Sequence, residues 1–180
     1  MKILLISLLR LGDVILHREL AKALKRRYPG CELHFLIHSQ FRSVQPLLPE
    51  VDVWHHFDRQ AIQKILVERE TSPLDAFERL RDLVGDLNGR KFSLVLNATH
   101  NRFSVRLMDL IEAGEKRGVA LEMGRKVADG NHWQTYLNEN FSEIRGSRFH
   151  YLEVLQRALG LEAQAPETAR SRKPGLILLQ

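Results

Sequence analysis

Three short polar segments follow apolar runs in this sequence and contain the side chains best suited to chemistry. They are Arg10-Leu11-Gly12-Asp13, His38-Ser39-Gln40, and the stretch from Asn97 to Arg102. Asp13 stands where a helix is predicted to start, and there the backbone N–H groups and the helix dipole keep a carboxylate ionised. An ionised carboxylate at the edge of a cleft can accept a proton from a substrate hydroxyl, which makes Asp13 a candidate general base. Gly12 would let the backbone approach a ligand closely.

Each of these features also has a purely structural interpretation. Asp13 could be an N-cap, a position at which Asp is strongly preferred. The segment 97–102 could be a solvated loop. A third feature, the cationic face formed by Arg18, Lys22, Lys25, Arg26 and Arg27, could be ordinary exposed surface or a binding patch. Residue spacing leaves these alternatives open.

The eight histidines do not have the spacing of a metal site. His34 and His38 lie four apart on a predicted strand, roughly 13 Å at ~3.3 Å per residue, and the adjacent His55 and His56 point to opposite faces. We therefore predict no metal and no cofactor. The dinucleotide fingerprint, the phosphate-binding P-loop and the nucleophile elbow are also missing from the sequence.

The elements that must position these residues alternate between strands and helices. Unbroken apolar runs predict buried strands at 2–8, 32–38, 51–57 and 92–97, with a short strand at 117–121. Amphipathic spacing predicts helices at 14–28, 59–90, 103–113, 132–139 and 149–159. This alternation predicts a doubly wound parallel sheet. The three polar segments would then share the edge at the carboxyl ends of the strands, where such sheets bind ligands.

The long helical region at 59–90 has a clear internal start. Ser72 is a suitable N-cap and Pro73 suits the first helical position, with Asp75 completing a capping-box-like pair. We expect Phe77, Leu80, Val84 and Leu87 to form the buried stripe of this helix.

Composition narrows the function classes. With 180 residues, of which 44% are hydrophobic, the chain can form one domain of ordinary size with a real core. A net charge of +5 suits an anionic partner, whereas the aromatic content of 7% and the lack of a known reader motif disfavour nucleic acid. The single Cys31 excludes an internal disulfide and fits a reducing cytoplasm. No uncharged stretch approaches the ~18–20 residues that span a bilayer.

Several segments, taken in order, resemble the lipopolysaccharide heptosyltransferases, glycosyltransferase family nine. The run MKILLISLLRLGDVIL, followed by LAKALKRRYPG and CELHFLIH, looks like the opening of that family. The likeness continues through RKFSLVLNATHNR and KRGVALE. RFHYLEVLQRALGLE resembles the helix near the end of the family's first domain, and KPGLILLQ resembles the strand that begins its second domain.

The resemblance implies a fold and a set of site residues. Family members have the GT-B architecture, in which two Rossmann-like domains flank the active site, the first holding mainly the acceptor and the second mainly the ADP-sugar. This chain would be the N-terminal half. The family enzymes invert the anomeric centre without a metal ion, and the Asp of the G-D motif, here Asp13, is their proposed base. We expect substrate contacts from Arg10, Gly12, Asn97, Thr99, His100, Asn101 and Arg102.

The same resemblance implies a domain division and a function. Residues 1–160 would be the acceptor-side domain, 161–174 a linker, and 175–180 the first strand of a truncated donor-binding domain; an edge strand of the same sheet is the alternative for 175–180. The full-length enzyme would move heptose from ADP-heptose to the anionic lipopolysaccharide inner core, in the cytoplasm and in peripheral contact with the inner membrane. This chain alone would be inactive. The rival interpretation is a non-catalytic Rossmann-like domain that binds a small anion or nucleic acid.

Overall fold

A parallel sheet forms the centre of the computed structural model, which describes residues 1–67, 72–122, 125–127, 131–137 and 149–162. Within these ranges the sheet has five strands in the order β3-β2-β1-β4-β5. They are β1 (Lys2–Ser7), β2 (Glu32–His38), β3 (Val53–Phe57), β4 (Phe92–Asn97) and β5 (Ala113–Arg117). The strand order runs outward in both directions from β1, so the predicted doubly wound α/β fold is confirmed.

The central strands are apolar on both faces because a core lies on each side of the sheet. Along β1, Ile3 and Leu5 belong to one core, while Leu4 and Ile6 belong to the other. Strand β1 pairs in parallel with β2 on one side and with β4 on the other. Unbroken apolar runs are what a strand with two buried faces requires, which explains why the sequence located these strands well.

Helices cover both faces of the sheet. Residues of α1 (Leu11–Leu16), α2 (Arg18–Arg27) and α7 (Tyr151–Ala158) contribute to the core on one face, and residues of α4 (Pro73–Gly89) and α5 (Arg102–Leu110) to the core on the other. A 3₁₀ helix (Ser39–Leu47) follows β2, and α3 (Arg59–Val67) follows β3. Among the described residues, no helix is both long and apolar enough to cross a membrane.

The helix predicted over 14–28 is wrong in its start and its continuity. Two helices occupy this stretch, and His17 is the C-cap of α1 and the N-cap of α2. Helical spacing places Leu16 on the same face as Leu20 and Leu24, which predicts that it is buried, but Leu16 is 40% exposed. Leu16 is the last residue of α1, before the break at His17, while Leu20 and Leu24 of α2 are buried.

The start of α4 is confirmed, but its predicted buried stripe is partly wrong. The Ser72 side chain accepts a hydrogen bond from the N–H of Leu74 at 3.2 Å, and Pro73 begins the helix. Phe77, however, is 73% exposed, whereas Ala76 is buried. Ala76 shares one face of α4 with Leu80, Val84 and Leu87, which pack on the core. Phe77 lies about 100° away from that face.

The strand predicted at 117–121 is also displaced. The edge strand β5 ends at Arg117, and the next strand, β6 (Ala120–Glu122), pairs antiparallel with β7 (Arg125–Val127) in a separate ribbon. Strand β5 has the sequence AGEKR, and its charges suit an exposed sheet edge. Because of these charged residues, β5 cannot be recognised in the sequence as an apolar run.

The C-terminal predictions are tested only in part. Helix α6 (His132–Thr135) falls within the predicted 132–139, whose last two residues lie outside the described ranges. Helix α7 falls within the predicted 149–159. Almost all of the predicted linker, and the whole of the predicted strand at 175–180, also lie outside the described residues.

Candidate functional site

The three polar segments lie along one edge of the sheet, as the sequence predicts. Strands β1, β2 and β4 are parallel neighbours, and they end at Ser7, His38 and Asn97. The strand order reverses between β1 and β4, and such a reversal leaves a crevice outside the carboxyl ends of the two strands. The candidate site is therefore the region around the turn after β1 and the loop after β4.

Asp13 lies on the short helix α1, just after the turn that follows β1. Its carboxylate Oδ2 accepts a hydrogen bond from the backbone N–H of Arg10 at 3.1 Å. Arg10 is the N-cap of α1 and Asp13 is the third helical residue, so Asp13 is not the N-cap itself. Its bond to the N–H of Arg10 is that of a capping box, so the helix-capping alternative holds in this form. Asp13 as a residue is partly exposed. Arg10 and Gly12 are exposed beside it, and nothing lies within 4 Å of where a side chain on Gly12 would begin.

Tyr151 is a neighbour of Asp13 that the sequence did not single out. Burial, together with the negative charge of Asp13, raises the pKa of Tyr151 to about 12. The phenol of Tyr151 therefore stays protonated to a higher pH than an ordinary tyrosine does. Tyr151 is the first residue of α7, so this helix contributes to the surroundings of Asp13 although 138 residues separate the two along the chain.

Asn97 and Thr99 are fully buried and support the site from within. The Asn97 side chain donates to the Ser104 hydroxyl at 3.2 Å and accepts from the N–H of Thr99 at 3.0 Å. The Thr99 hydroxyl accepts from the N–H of Leu8 at 2.8 Å. Thr99 thereby holds the loop after β4 against the end of β1, and Asn97 braces the loop itself. Neither side chain presents surface to a ligand in this structure.

The remaining residues of the predicted loop lie nearer the surface. Asn101 donates from Nδ2 to the carbonyl of Leu8 at 3.0 Å, while its Oδ1 caps α5 by accepting from the N–H of Ser104 at 2.8 Å. His100 is partly buried, and Arg102 begins α5 with an exposed side chain. Both the N–H and the carbonyl of Leu8 are thus held by side chains of this loop, which fixes the start of the turn toward Asp13.

A cavity of about 360 Å³ opens at the same edge. Its lining is Leu8, His38, Phe57, Arg59, Ile62, Gln63, Asn101 and Phe103. The rings of Phe57 and Phe103 stack with centroids 4.6 Å apart. An adjoining cavity of about 120 Å³ adds the polar residues Ser39, Gln40 and Gln60. An aromatic wall with a few amides and one guanidinium is the kind of lining that binds a polar organic molecule such as a sugar.

The polar segments of the sequence predict only a small part of this lining. His38 and Asn101 belong to the predicted polar segments, but Phe57, Arg59, Gln63 and Phe103 were not proposed. The available signal was Asp58-Arg59, a polar pair directly after the predicted strand at 51–57. Burial lowers the pKa of His38, although hydrogen bonds with the backbone of Leu8 and Phe57 act in the opposite direction.

The cationic face of α2 is largely engaged with acidic neighbours. Arg18 pairs with Glu50 at 3.2 Å, Lys22 with Glu19 at 2.8 Å, and Lys25 with Asp52. These pairs support the interpretation of this face as structural surface. Arg26 and Arg27 are exposed and border a separate cavity of about 200 Å³.

Histidines meet across strands rather than along them. His34 Nδ1 and His55 Nε2 share a hydrogen bond at 2.8 Å, and His34 Nε2 lies 2.6 Å from the carboxylate of Glu32. Spacing along the chain does not predict this contact, because it joins residues of the neighbouring strands β2 and β3. Across the ranges that the structure describes, no group of three or more His, Cys, Asp or Glu side chains is placed to hold a metal ion.

Comparison with known proteins places the fold among glycosyltransferases. No family model matches the sequence, and no curated protein matches it. Among solved structures, a family 9 glycosyltransferase from Veillonella parvula has 22% identity and a TM-score of 0.55 over 66% of this chain and 32% of its own. E. coli heptosyltransferase WaaC with ADP-2-deoxy-2-fluoro heptose has 14% identity and a TM-score of 0.60 over 91% and 50%.

A third structure, E. coli ADP-heptose lps heptosyltransferase II, has 18% identity and a TM-score of 0.51 over 66% of this chain and 30% of its own. This chain therefore spans half or less of the length of each of these structures. At such identities the similarity is one of fold. The predicted resemblance to the heptosyltransferases and the predicted Rossmann-like, GT-B type sheet are confirmed at that level.

Proposed function

We propose that this chain is the acceptor-side part of a glycosyltransferase that transfers heptose from ADP-heptose to the lipopolysaccharide inner core. The observation that carries the proposal is the place of Asp13. This partly exposed residue lies at the reversal point of a sheet whose fold is shared with heptosyltransferases. Ligands bind at such points in open α/β sheets.

In the proposed reaction Asp13 acts as general base. The acceptor hydroxyl gives its proton to the Asp13 carboxylate while its oxygen attacks the anomeric carbon of the heptose. The bond from that carbon to the diphosphate oxygen breaks, and ADP leaves with the electron pair. Attack from the face opposite the leaving group inverts the anomeric centre, and no metal ion is assigned a role.

The proposed acceptor lies in the cavity beside the turn after β1. The stacked rings of Phe57 and Phe103 offer an apolar surface to a sugar ring, and Gln63 and Asn101 offer amide groups to its hydroxyls. Arg59 supplies positive charge for an anionic acceptor. Arg10 and Arg102 are exposed at the same edge and suit further anionic groups.

The donor is assigned to a second domain outside this chain, since the solved structures with similar folds are about twice as long or more. We place the enzyme in the cytoplasm, in peripheral contact with the inner membrane, where its anionic acceptor would be. The chain alone would then bind acceptor without turnover.

The test is a transfer assay with ADP-heptose and heptose-deficient lipopolysaccharide, followed by mass spectrometry of the acceptor. It is run with the 180-residue chain and with any longer product of the same reading frame. Lipopolysaccharide with a complete inner core is the matched control acceptor. We expect the longer product to add heptose to the deficient acceptor only. Acceptor binding without transfer by every product would favour the non-catalytic alternative.

A further inference from the structure

The junction between α1 and α2 is a single buried residue, His17. The side chain has no exposed surface. Its backbone N–H donates to the carbonyl of Asp13 at 2.8 Å, and its own carbonyl accepts from the N–H groups of Leu20 and Ala21 at 3.0 and 3.1 Å. The main chain of His17 therefore closes the helix that carries Asp13 and opens the helix that follows.

The side chain of His17 reaches back to the end of β1. Its Nδ1 shares a hydrogen bond with the hydroxyl of Ser7 at 2.8 Å, and Ser7 is also fully buried. Residues 8–16, including Asp13, form the covalent path between these two residues. The hydrogen bond closes this path into a ring, so that the sheet holds both ends of the turn.

A buried histidine at this position has a cost in free energy. Nε2 of His17 has no hydrogen-bond partner among the residues that the structure describes, and burying a polar atom without a partner is unfavourable. An apolar side chain would avoid that cost, but hydrophobic contact has no preferred direction. The Ser7–His17 hydrogen bond fixes a distance and an orientation.

The other end of the turn is held independently. Thr99 and Asn101 bond to the N–H and the carbonyl of Leu8, the first residue after β1. The turn is therefore fixed at its entry by the loop after β4 and at its exit by His17. Asp13 lies between these two attachments, one helical turn before His17.

We propose that His17 is a positioning residue for Asp13, whose hydrogen bond to Ser7 holds α1 in the orientation that the base requires. The proposal rests on the proposed function, because it concerns the placement of the general base. Misplacing a reacting group by about 1 Å can reduce a rate on the order of 10²-fold. Loss of this hydrogen bond should therefore act on turnover more than on substrate binding.

Three variants separate positioning from packing. His17→Leu keeps an apolar filling and removes the hydrogen bond, and Ser7→Ala removes it from the other side. His17→Asn retains an amide near the position of Nδ1 and can still bond to Ser7. Ile111→Val, in the core on the opposite face of the sheet, is a mildly destabilising control.

The first measurement is the rate of sugar transfer. It uses the product of the reading frame that transfers sugar in the assay described above. We expect kcat to fall about tenfold to a hundredfold in His17→Leu and Ser7→Ala, with KM for donor and acceptor unchanged. His17→Asn should recover most of this loss, and Ile111→Val should leave kcat unchanged. Unchanged kcat in a folded His17→Leu or Ser7→Ala protein, or equal losses in the Leu and Asn variants, would overturn the proposal.

The second measurement does not depend on catalysis. Amide hydrogen exchange reports on the α1 hydrogen bonds from Val14 to Arg10 and from residue 17 to Asp13. In Ser7→Ala we expect about tenfold faster exchange at these amides and unchanged exchange in β1 and α2. Unchanged exchange in α1 would refute the positioning role. Absence of sugar transfer by the wild type would instead refute the proposed function.

Discussion

At the scale of single residues, the local bonding of Asp13 makes its two possible roles distinguishable. The carboxylate accepts one backbone hydrogen bond, from Arg10, at the third position of α1. An amide oxygen can accept the same bond, so Asn can replace Asp in a structural role. An amide cannot take a proton from a hydroxyl at neutral pH, so Asn cannot replace Asp as a base.

We therefore predict that Asp13→Asn abolishes most transfer and leaves the fold intact. Loss of a general base should lower the rate by a factor on the order of 10²–10⁴. The midpoint of thermal unfolding should stay close to that of the wild type, because Asn can accept the bond from Arg10. The rate is measured in the transfer assay and the midpoint by circular dichroism. Wild-type transfer by folded Asp13→Asn would remove Asp13 from the mechanism.

Buried histidines predict a loss of stability in mild acid. Burial, reinforced by nearby His100, lowers the pKa of His17 to about 3, and burial lowers that of His55 to about 4. Below pH ~6.5 the unfolded chain binds protons at these residues while the folded protein does not. The free energy of unfolding should therefore fall as the pH is lowered from about 6.5 to 5, with a slope for His17 alone that rises from about 0.7 to about 1.4 kcal/mol per pH unit.

Urea unfolding at several pH values in that window measures this slope. His17→Asn is the control, because it removes one titrating group and should reduce the slope by up to about 1.4 kcal/mol per pH unit near pH 5. Carboxylates contribute little above pH ~5, since their reference pKa values lie near 4. Equal slopes in the two proteins would show that His17 titrates normally in the folded state.

At the scale of elements, the sequence predicts what depends on local pattern and misses what depends on packing. Strands β1, β2 and β4 are visible because each is an apolar run with two buried faces. The break at His17 is not visible, because the bond from its ring to Ser7 comes from tertiary structure. Phe77 was misplaced because Ala76, a weak apolar signal, sets the buried face of α4.

Asn101 caps α5 and also bonds to Leu8 after β1, so its replacement should lower the free energy of unfolding in two separate ways. Asn101→Ala loses the cap of α5 and the bond to Leu8, whereas Asn101→Ser keeps a capping oxygen but is too short to reach Leu8. We expect the wild type to be more stable than the Ser variant by about 0.5–1.5 kcal/mol. The Ser variant should exceed the Ala variant by about 0.5–2 kcal/mol. Urea denaturation measures both differences, and equal stability of Ser and Ala would contradict the capping role.

At the scale of the whole molecule, the location of the candidate site was predicted from the sheet topology rather than from composition. Parallel strands end at the same edge, so the polar segments after β1, β2 and β4 could be placed together from the sequence. The cavity itself could not be predicted. Its wall needs Phe57 at the end of β3 to stack on Phe103 of α5, and its charge comes from Arg59 of α3. These contacts depend on how helices pack across the sheet edge.

The proposed assignment of the donor site to a second domain leads to a prediction about what the isolated chain binds. Nucleotide diphosphates are commonly held by glycine-rich loops at the start of a helix, and the sequence contains no such phosphate-binding motif. The 180-residue chain should therefore give no measurable heat with ADP-heptose in titration calorimetry at micromolar protein. A fragment of the lipopolysaccharide inner core, titrated under the same conditions, should bind to the wild-type chain. The same fragment should bind more weakly to the Arg59→Ala variant. Micromolar affinity of this chain for ADP-heptose would place the donor site on the domain described here and reverse the assignment of its cavity to the acceptor.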